Sequence, residues 1–170
     1  GANHGWLDAK HHFSFAGYRD PDRIHWGNLR VWNDDTIAAH SGFPPHPHAD
    51  MEIITYPLSG TIRHQDSTGG NGLITHGEIQ VMHAGRGIRH SEMNGSPSEP
   101  LHLLQIWMLP KTAGGPPGYE QTTIPPASMR GQLALLAADE GGLVTVNSHA
   151  RLYAARVDGA ETLTHRLAPG

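Results

Sequence analysis

The feature that most constrains the fold of this chain is the regular spacing of its turns. Short apolar runs are separated by turn-forming residues at intervals of roughly eight to twelve residues. Glycine (21) and proline (13) together make up a fifth of the 170 residues. Residues 29–33, 51–56 and 101–109 show the apolar content and alternation typical of strands. Because no long amphipathic helix is visible before residue 127, the pattern predicts an all-β architecture, a sandwich or a barrel.

Local signals predict further strands and the turns between them. We expect strands over residues 12–15, 61–66, 73–75, 79–82 and 88–93, with a turn at residues 33–35 and a loop at residues 41–45. Residues 112–118 have the composition of a linker. Apolar runs resume at residues 133–136, 143–146 and 152–155, in a tail too short to bury a core of its own.

Charge and composition exclude several classes of function. The formal net charge is −4 and there is no run of Lys or Arg, which argues against direct binding to nucleic acid but leaves a protein partner open. The absence of cysteine excludes disulfides, zinc–thiolate sites and cysteine nucleophiles. No apolar stretch is long enough to span a membrane, and the first residues show no signal peptide, so we expect a cytoplasmic protein.

Histidine is unusually frequent, with 14 residues, and two dyads stand out: His46-Pro47-His48 and His90-Ser91-Glu92. Residues i and i+2 of a strand share one face, so two such dyads on neighbouring strands would direct four ligands into one interior. Three imidazoles and one carboxylate suit iron, and also copper, nickel, manganese or zinc. On a six-coordinate metal they leave two open positions, which an oxygenase needs for substrate and dioxygen. Random placement alone gives about one His-x-His, so the dyads need support from their context.

The context of both dyads resembles the pirin family of cupins, including its bacterial members with quercetin 2,3-dioxygenase activity. Residues 42–60 resemble the first cupin motif, and residues 77–94 resemble the second. Supporting stretches lie at residues 3–7, 12–15, 103–107 and 117–121, so the resemblance covers about residues 3–124. It implies an all-β cupin β-barrel, also called a double-stranded β-helix or jelly roll.

The resemblance also implies a site and a reaction. It places the metal ligands at His46, His48, His90 and Glu92. These residues would hold one divalent metal ion, for which Fe(II) is the preferred candidate and Cu, Ni, Mn, Co or Zn are alternatives. The implied activity is a dioxygenase acting on a quercetin-like flavonol, whose heterocycle opens with loss of carbon monoxide. Glu92 would be the catalytic base that accepts the substrate hydroxyl proton. Two alternatives stay open: a non-catalytic, redox-sensing metal module that binds a partner protein, and a structural cupin with an opportunistic metal.

Other residues receive structural interpretations. Glu52 sits at the ordinary cupin carboxylate position, but in pirins that residue is not the ligand, so we expect a supporting role. His11, His12, His64, His76, His83 and His102 are interpreted as surface histidines, and Phe43 and Trp107 as core residues. Pirin-like proteins usually form two cupin domains. We therefore predict a metal-binding N-terminal cupin domain at residues 1–127 and the start of a second, incomplete cupin-like domain at residues 128–170.

Overall fold

The computed structural model describes residues 1–167, in which regular structure is almost entirely β-strand. One 3-10 turn occurs at Pro126–Ser128, and residues 1–167 contain no α-helix. The strands are β1 (Ala2–Asn3), β2 (Leu7–His11), β3 (Leu29–Ile37), β4 (Gly42–His48), β5 (Glu52–Ser59), β6 (Thr61–Asp66), β7 (Asn71–Thr75), β8 (Glu78–His83), β9 (Ile88–Asn94), β10 (Leu101–Met108), β11 (Gly118–Thr123), β12 (Ala134–Ala138), β13 (Val144–Thr145) and β14 (Leu152–Ala154). Within the same range there is no helix of the length and apolarity needed to cross a lipid bilayer.

Two antiparallel sheets form the barrel. The larger has seven strands in the order β1-β2-β3-β10-β5-β8-β11, and the smaller has four in the order β4-β9-β6-β7. Strands distant in sequence are neighbours in both sheets, as in a jelly roll. The prediction of an all-β cupin barrel is confirmed.

The inner faces of the two sheets enclose apolar layers. Ile62 and Ile74 of the smaller sheet pack with Ile37, Leu101 and Leu103 of the larger one. A second cluster joins the sheets through Ile53, Met82, Ala84 and Ile88. Branched aliphatic side chains favour strands because they pack well on a pleated surface, and these clusters hold the sheets face to face.

The C-terminal segment covers the outer face of the seven-stranded sheet. Strands β13-β12-β14 form a small sheet that contributes Leu136, Ala137 and Val144 to a buried cluster with Ile54 and Val81 of the barrel. The part of the larger sheet around Ile54 and Val81 is therefore buried on both faces. The boundary between 1–127 and 128–170 stays a prediction, and residues 168–170 of the second segment lie outside the described part of the chain.

Some local predictions were wrong. Residues 33–35 do not turn, because β3 runs through them while paired with β2 on one side and β10 on the other. Residues 42–45 lie in β4 and not in a loop. The first regular strand of the N-terminal region is β2, whereas residues 12–15 contribute only an isolated bridge between Phe15 and Tyr18. For residues 33–35 and 42–45, pairing with a distant strand overrides local turn propensity.

Candidate metal centre

Three of the four predicted ligands meet where β4 pairs with β9. The antiparallel register sets His46 opposite His90, and His48 lies two residues further along β4. One nitrogen of each ring lies within 4.8 Å of the others. The Nε2 atoms of His46 and His90 are 3.0 Å apart. The structure therefore assembles a three-histidine cluster from segments more than forty residues apart.

The backbone of β4 orients the first of these rings. The pairing register shifts between Phe43 and His46, at Pro44 and Pro45, which have no N–H to contribute to a ladder. The Pro44 carbonyl lies 2.8 Å from His46 Nδ1. Because a carbonyl oxygen only accepts, Nδ1 must donate, and in a neutral ring Nε2 then carries the lone pair.

Burial keeps two of the imidazoles neutral. Burial lowers the pKa of His48 to about 4, with neighbouring His90 and His46 adding to the effect. Burial also lowers the pKa of His90 to about 3, assisted by His46 and His64 and partly opposed by Asp66. Neutral imidazole is the form that binds a metal, so both rings are ready to bind at neutral pH.

The donor set fits a divalent metal. His48 Nε2 is inaccessible to solvent and has no hydrogen-bond partner within residues 1–167. A lone pair on His46 Nε2 would repel one on His90 Nε2 at 3.0 Å unless a cation or a proton lies between them. Three imidazole nitrogens suit several divalent first-row metals, among them iron, nickel, copper and zinc.

Glu92, the fourth predicted ligand, faces the same interior but makes other contacts. It is buried and lies two residues beyond His90 on β9. Gln105 Nε2 lies 2.7 Å from each carboxylate oxygen, and Thr55 Oγ1 donates to Oε1 at 3.1 Å. Glu92 does not belong to the three-histidine cluster, so its role as a ligand stays a prediction.

A buried histidine–carboxylate pair lies next to the three-histidine cluster. His64 and Asp66 lie on β6, and both side chains are inaccessible to solvent. Asp66 Oδ2 lies 2.8 Å from His64 Nε2, and His64 Nδ1 lies 3.4 Å from His90 Nδ1. Burial raises the pKa of Asp66, but hydrogen bonds from Thr68, His64 and Gly70 outweigh it and bring the pKa to about 2. The interpretation of His64 as a surface histidine was wrong.

A row of polar side chains crosses the inner face of the larger sheet. Directly opposite residues of antiparallel strands share a face, and the registers align six polar residues across six strands: His11, Asn33, Gln105, Thr55, Gln80 and Gln121. We call this set the polar row. In the described part of the chain, Asn33 Oδ1, Gln105 Oε1 and both amide atoms of Gln80 are buried without a partner. Such atoms are rare in protein interiors, so this part of the inner face is unusually polar for a buried surface.

Asp35 adds an acidic group to the same interior. It lies on β3 two residues from Asn33, is 2% exposed, and its Oδ1 has no partner within residues 1–167. Burial, together with the charges of Glu92, Asp34 and Asp8, raises the pKa of Asp35 to about 7. Near neutral pH, Asp35 therefore exists as a mixture of protonated and ionised forms.

Aromatic side chains border the histidines on two sides. The Trp107 ring lies 4.9 Å from His48, and Phe15 contacts Trp107 edge-on at 5.3 Å. On the other side Phe43 lies 6.2 Å from His46. Phe43 also lines a cavity of about 560 Å³ whose other ring-bearing walls are His4, Trp6, His11, Phe15 and Tyr18. None of the three clustered histidines lines this cavity, which adjoins them through Phe43, and its rings suit a planar aromatic ligand.

Glu52 lies on the opposite face of β5 from Thr55 and takes no part in the cluster. It accepts a hydrogen bond from the backbone N–H of Asn147 at 2.9 Å and pairs with His83 Nδ1 at 2.6 Å. Burial lowers the pKa of His83, but the hydrogen bond to Glu52 and the charges of Glu52 and Glu120 outweigh it and raise the pKa overall. Glu52 therefore ties the C-terminal segment to the barrel.

Comparison with known proteins places this arrangement in a family. The family model described as Pirin matches residues 1–108. The chain belongs to the pirin family. A curated pirin-like protein from Caulobacter vibrioides is 49% identical over 170 residues, which is 98% of this chain and 73% of the relative. A quercetin 2,3-dioxygenase from Escherichia coli K12 is 47% identical over 98% of this chain and 72% of its own length.

Solved pirin structures share the fold. The crystal structure of YhhW from Escherichia coli superimposes with a TM-score of 0.84 at 48% identity, covering 89% of this chain and 64% of that chain. A second structure, described as bacterial pirin YhhW in complex with nickel(II), gives a TM-score of 0.83 at 47% identity. It covers 89% of this chain and 65% of that one. This pirin chain thus spans just under two thirds of those structures.

Sequence reasoning missed two parts of this pirin site. His64 and Asp66 are also two residues apart on a predicted strand. The spacing criterion that was applied to His46 and His48 would therefore have found this pair. The polar row had no such signal, because its members come from six separate strands and only the pairing register brings them together.

Proposed function

We propose that this chain is the metal-binding part of a dioxygenase that opens quercetin-like flavonols with dioxygen. The observation that carries the proposal is the convergence of His46, His48 and His90 in one partly buried cluster, in a family with members named quercetin 2,3-dioxygenase. The three histidines would hold one divalent metal, Fe(II) first, with Glu92 as the fourth ligand. When bound, the metal would supply Lewis acidity and open positions for exchangeable ligands.

Glu92 is suited to receive the substrate proton. The amide of Gln105 and the hydroxyl of Thr55 hold its carboxylate inside the barrel, where the proton acceptor is fixed before substrate arrives. A general base must lie within hydrogen-bond reach of the proton it removes. Because Glu92 is two residues from His90 on β9, a flavonol hydroxyl beside the histidines would come close to this carboxylate.

The aromatic borders would orient the substrate and exclude water. A flavonol is planar, and the cavity beside Phe43 offers aromatic walls on several sides. Trp107 and Phe15 close the approach to His48. Excluding water strengthens electrostatic interactions inside the site and limits side reactions of the ring-opened product.

The direct test is oxygen consumption by Fe(II)-loaded protein on addition of quercetin. We expect oxygen uptake that matches quercetin loss and disappears in His90→Ala. The matched control is His76→Ala, the same substitution at an exposed turn between β7 and β8, which should consume oxygen like the wild type. No uptake with one metal bound per chain would contradict the proposal and favour the redox-sensing module that binds a partner protein.

A further inference from the structure

The pair His64–Asp66 forms a hydrogen-bonded line that ends on the metal side of His90. In the pairing of β6 with β9, His64 lies opposite Glu92, and Asp66 lies opposite His90. The line runs from Asp66 Oδ2 to His64 Nε2 at 2.8 Å and from His64 Nδ1 to His90 Nδ1 at 3.4 Å. It continues to His90 Nε2, which is 3.0 Å from His46 Nε2. All of the residues in the line are inward-facing and at least partly buried.

The chemistry of the groups fixes the direction of this line. A carboxylate only accepts, so Asp66 requires a proton on His64 Nε2. A neutral His64 then has its lone pair on Nδ1, which must accept from His90 Nδ1–H. The remaining nitrogen of His90, Nε2, is left with its lone pair facing the cluster.

Asp66 is itself held in one orientation. Its other oxygen, Oδ1, accepts hydrogen bonds from the Thr68 backbone N–H at 2.8 Å, the Thr68 hydroxyl at 2.6 Å and the Gly70 N–H at 3.0 Å. Gly70 has to be glycine here, because a Cβ at that position would overlap the Asp66 carboxylate. The Tyr119 ring lies against His64 with centroids 4.6 Å apart and planes 31° apart. These contacts hold the Asp66 carboxylate and the His64 ring in one orientation.

We propose that Asp66 and His64 are positioning residues that set the tautomer of His90 and keep its Nε2 lone pair directed at the metal. The proposal rests on the metal site of the proposed function and is independent of any substrate. In other proteins, a hydrogen-bond partner on the ring nitrogen that does not bind the metal orients the metal-binding histidine. Loss of such a partner typically weakens metal affinity about 10–100-fold.

The two oxygens of Asp66 make one substitution especially informative. In Asp66→Asn the amide oxygen must stay at the Oδ1 position, because two backbone N–H groups donate there. The amide NH2 then faces His64 Nε2 and donates to it. His64 would carry its proton on Nδ1 and donate to His90 Nδ1, which forces the His90 proton onto Nε2, the nitrogen that should bind the metal.

The experiment is nitrogen-15 NMR of histidine ring nitrogens in metal-free protein at neutral pH, with nickel(II) affinity measured on the same samples. In the wild type we expect His90 protonated at Nδ1 and His64 protonated at Nε2. In Asp66→Asn we expect both tautomers reversed and a nickel dissociation constant raised about 10–100-fold. Asp20→Asn, which changes a carboxylate in the exposed loop after β2, should behave like the wild type.

Several outcomes would overturn the proposal. They are a wild-type His90 protonated at Nε2, a His64 protonated on both nitrogens, or an Asp66→Asn protein with unchanged tautomers and nickel affinity. The wild-type spectrum is decisive even if Asp66→Asn does not fold. Because nickel binding and the tautomers are read without turnover, absence of dioxygenase activity would refute the proposed function and leave this result standing.

Discussion

Gln105 and Glu92 face each other across the barrel, and the Gln105 amide nitrogen lies 2.7 Å from both oxygens of the Glu92 carboxylate. The contact joins the middle of the seven-stranded sheet to the strand that carries His90. It holds a charged group in a largely enclosed interior, where a hydrogen bond to an ionised partner contributes about 1.5–3 kcal/mol. The position of the carboxylate is thus set by the opposing sheet.

Replacing this carboxylate should separate metal binding from turnover. In Glu92→Gln the three histidines remain, so we expect the protein to keep some metal. Removal of the base should lower quercetin turnover by at least about 100-fold. Elemental analysis tests whether the variant keeps metal, and oxygen uptake tests whether it loses turnover.

The control for this variant is Glu99→Gln, the same change in the exposed loop before β10, which should match the wild type. Turnover in Glu92→Gln close to the wild-type rate would contradict a role for Glu92 as base.

Metal binding should stabilise the fold. A ligand that binds only the native state at 100 times its dissociation constant raises the free energy of unfolding by about 2.7 kcal/mol. For a chain of this length that corresponds to an increase in Tm of roughly 5–10 °C. Nickel(II) should produce this shift in the wild type and in His76→Ala but not in His48→Ala, as measured by thermal unfolding followed by circular dichroism. A full shift in His48→Ala would show that the stabilising metal lies elsewhere.

Asp35 should make stability depend on pH. Its pKa is raised to about 7 in the folded state, so between about pH 4 and pH 7 the folded state binds a proton that the unfolded state has lost. Stability therefore falls as pH rises through this window, by an amount on the order of 4 kcal/mol. Asp35→Asn should unfold at a higher temperature than the wild type at pH 8 and at nearly the same temperature at pH 4.

The matched control for this prediction is Asp22→Asn, the same change in the exposed loop between β2 and β3, whose charge is not among those that shift the pKa of Asp35. It should keep the wild-type pH profile. An Asp35→Asn protein with a lower Tm than the wild type at pH 8 would mean that the ionised carboxylate is favourable in the barrel.

Glu52 should matter for stability and not for metal. Glu52→Gln removes the charge that His83 and the Asn147 N–H contact, and we expect the free energy of unfolding to fall by about 1–3 kcal/mol. Because the raised pKa of His83 is partly due to this carboxylate, the loss should be largest below pH 6.5 and shrink as pH rises. Denaturant unfolding at several pH values measures it, and nickel stoichiometry should stay at the wild-type value.

The sequence could predict which of these residues share a face, and most of the strand pattern, because both rest on local spacing. His46 with His48, and His90 with Glu92, face the same interior as the two-residue period of a strand implies. It could not predict that residues 33–35 form the middle of β3, because only pairing with β2 and β10 overrides their turn propensity. The burial of His64 was likewise missed, since its partner His90 is 26 residues away on another strand.

The polar row also bears on how this protein would respond to selection. A barrel core folds most readily when each buried side chain is compatible with an apolar interior. Gln80 is not, because both of its amide atoms are unpartnered in the described part of the chain. Energy-landscape theory calls such a local conflict frustration. Sequences selected for heat resistance alone should drift toward aliphatic residues at Gln80 and Asn33. If the conflict is kept for chemistry, those same thermostable variants will be the ones that lose activity, so the row marks where robustness and catalysis compete for the same positions.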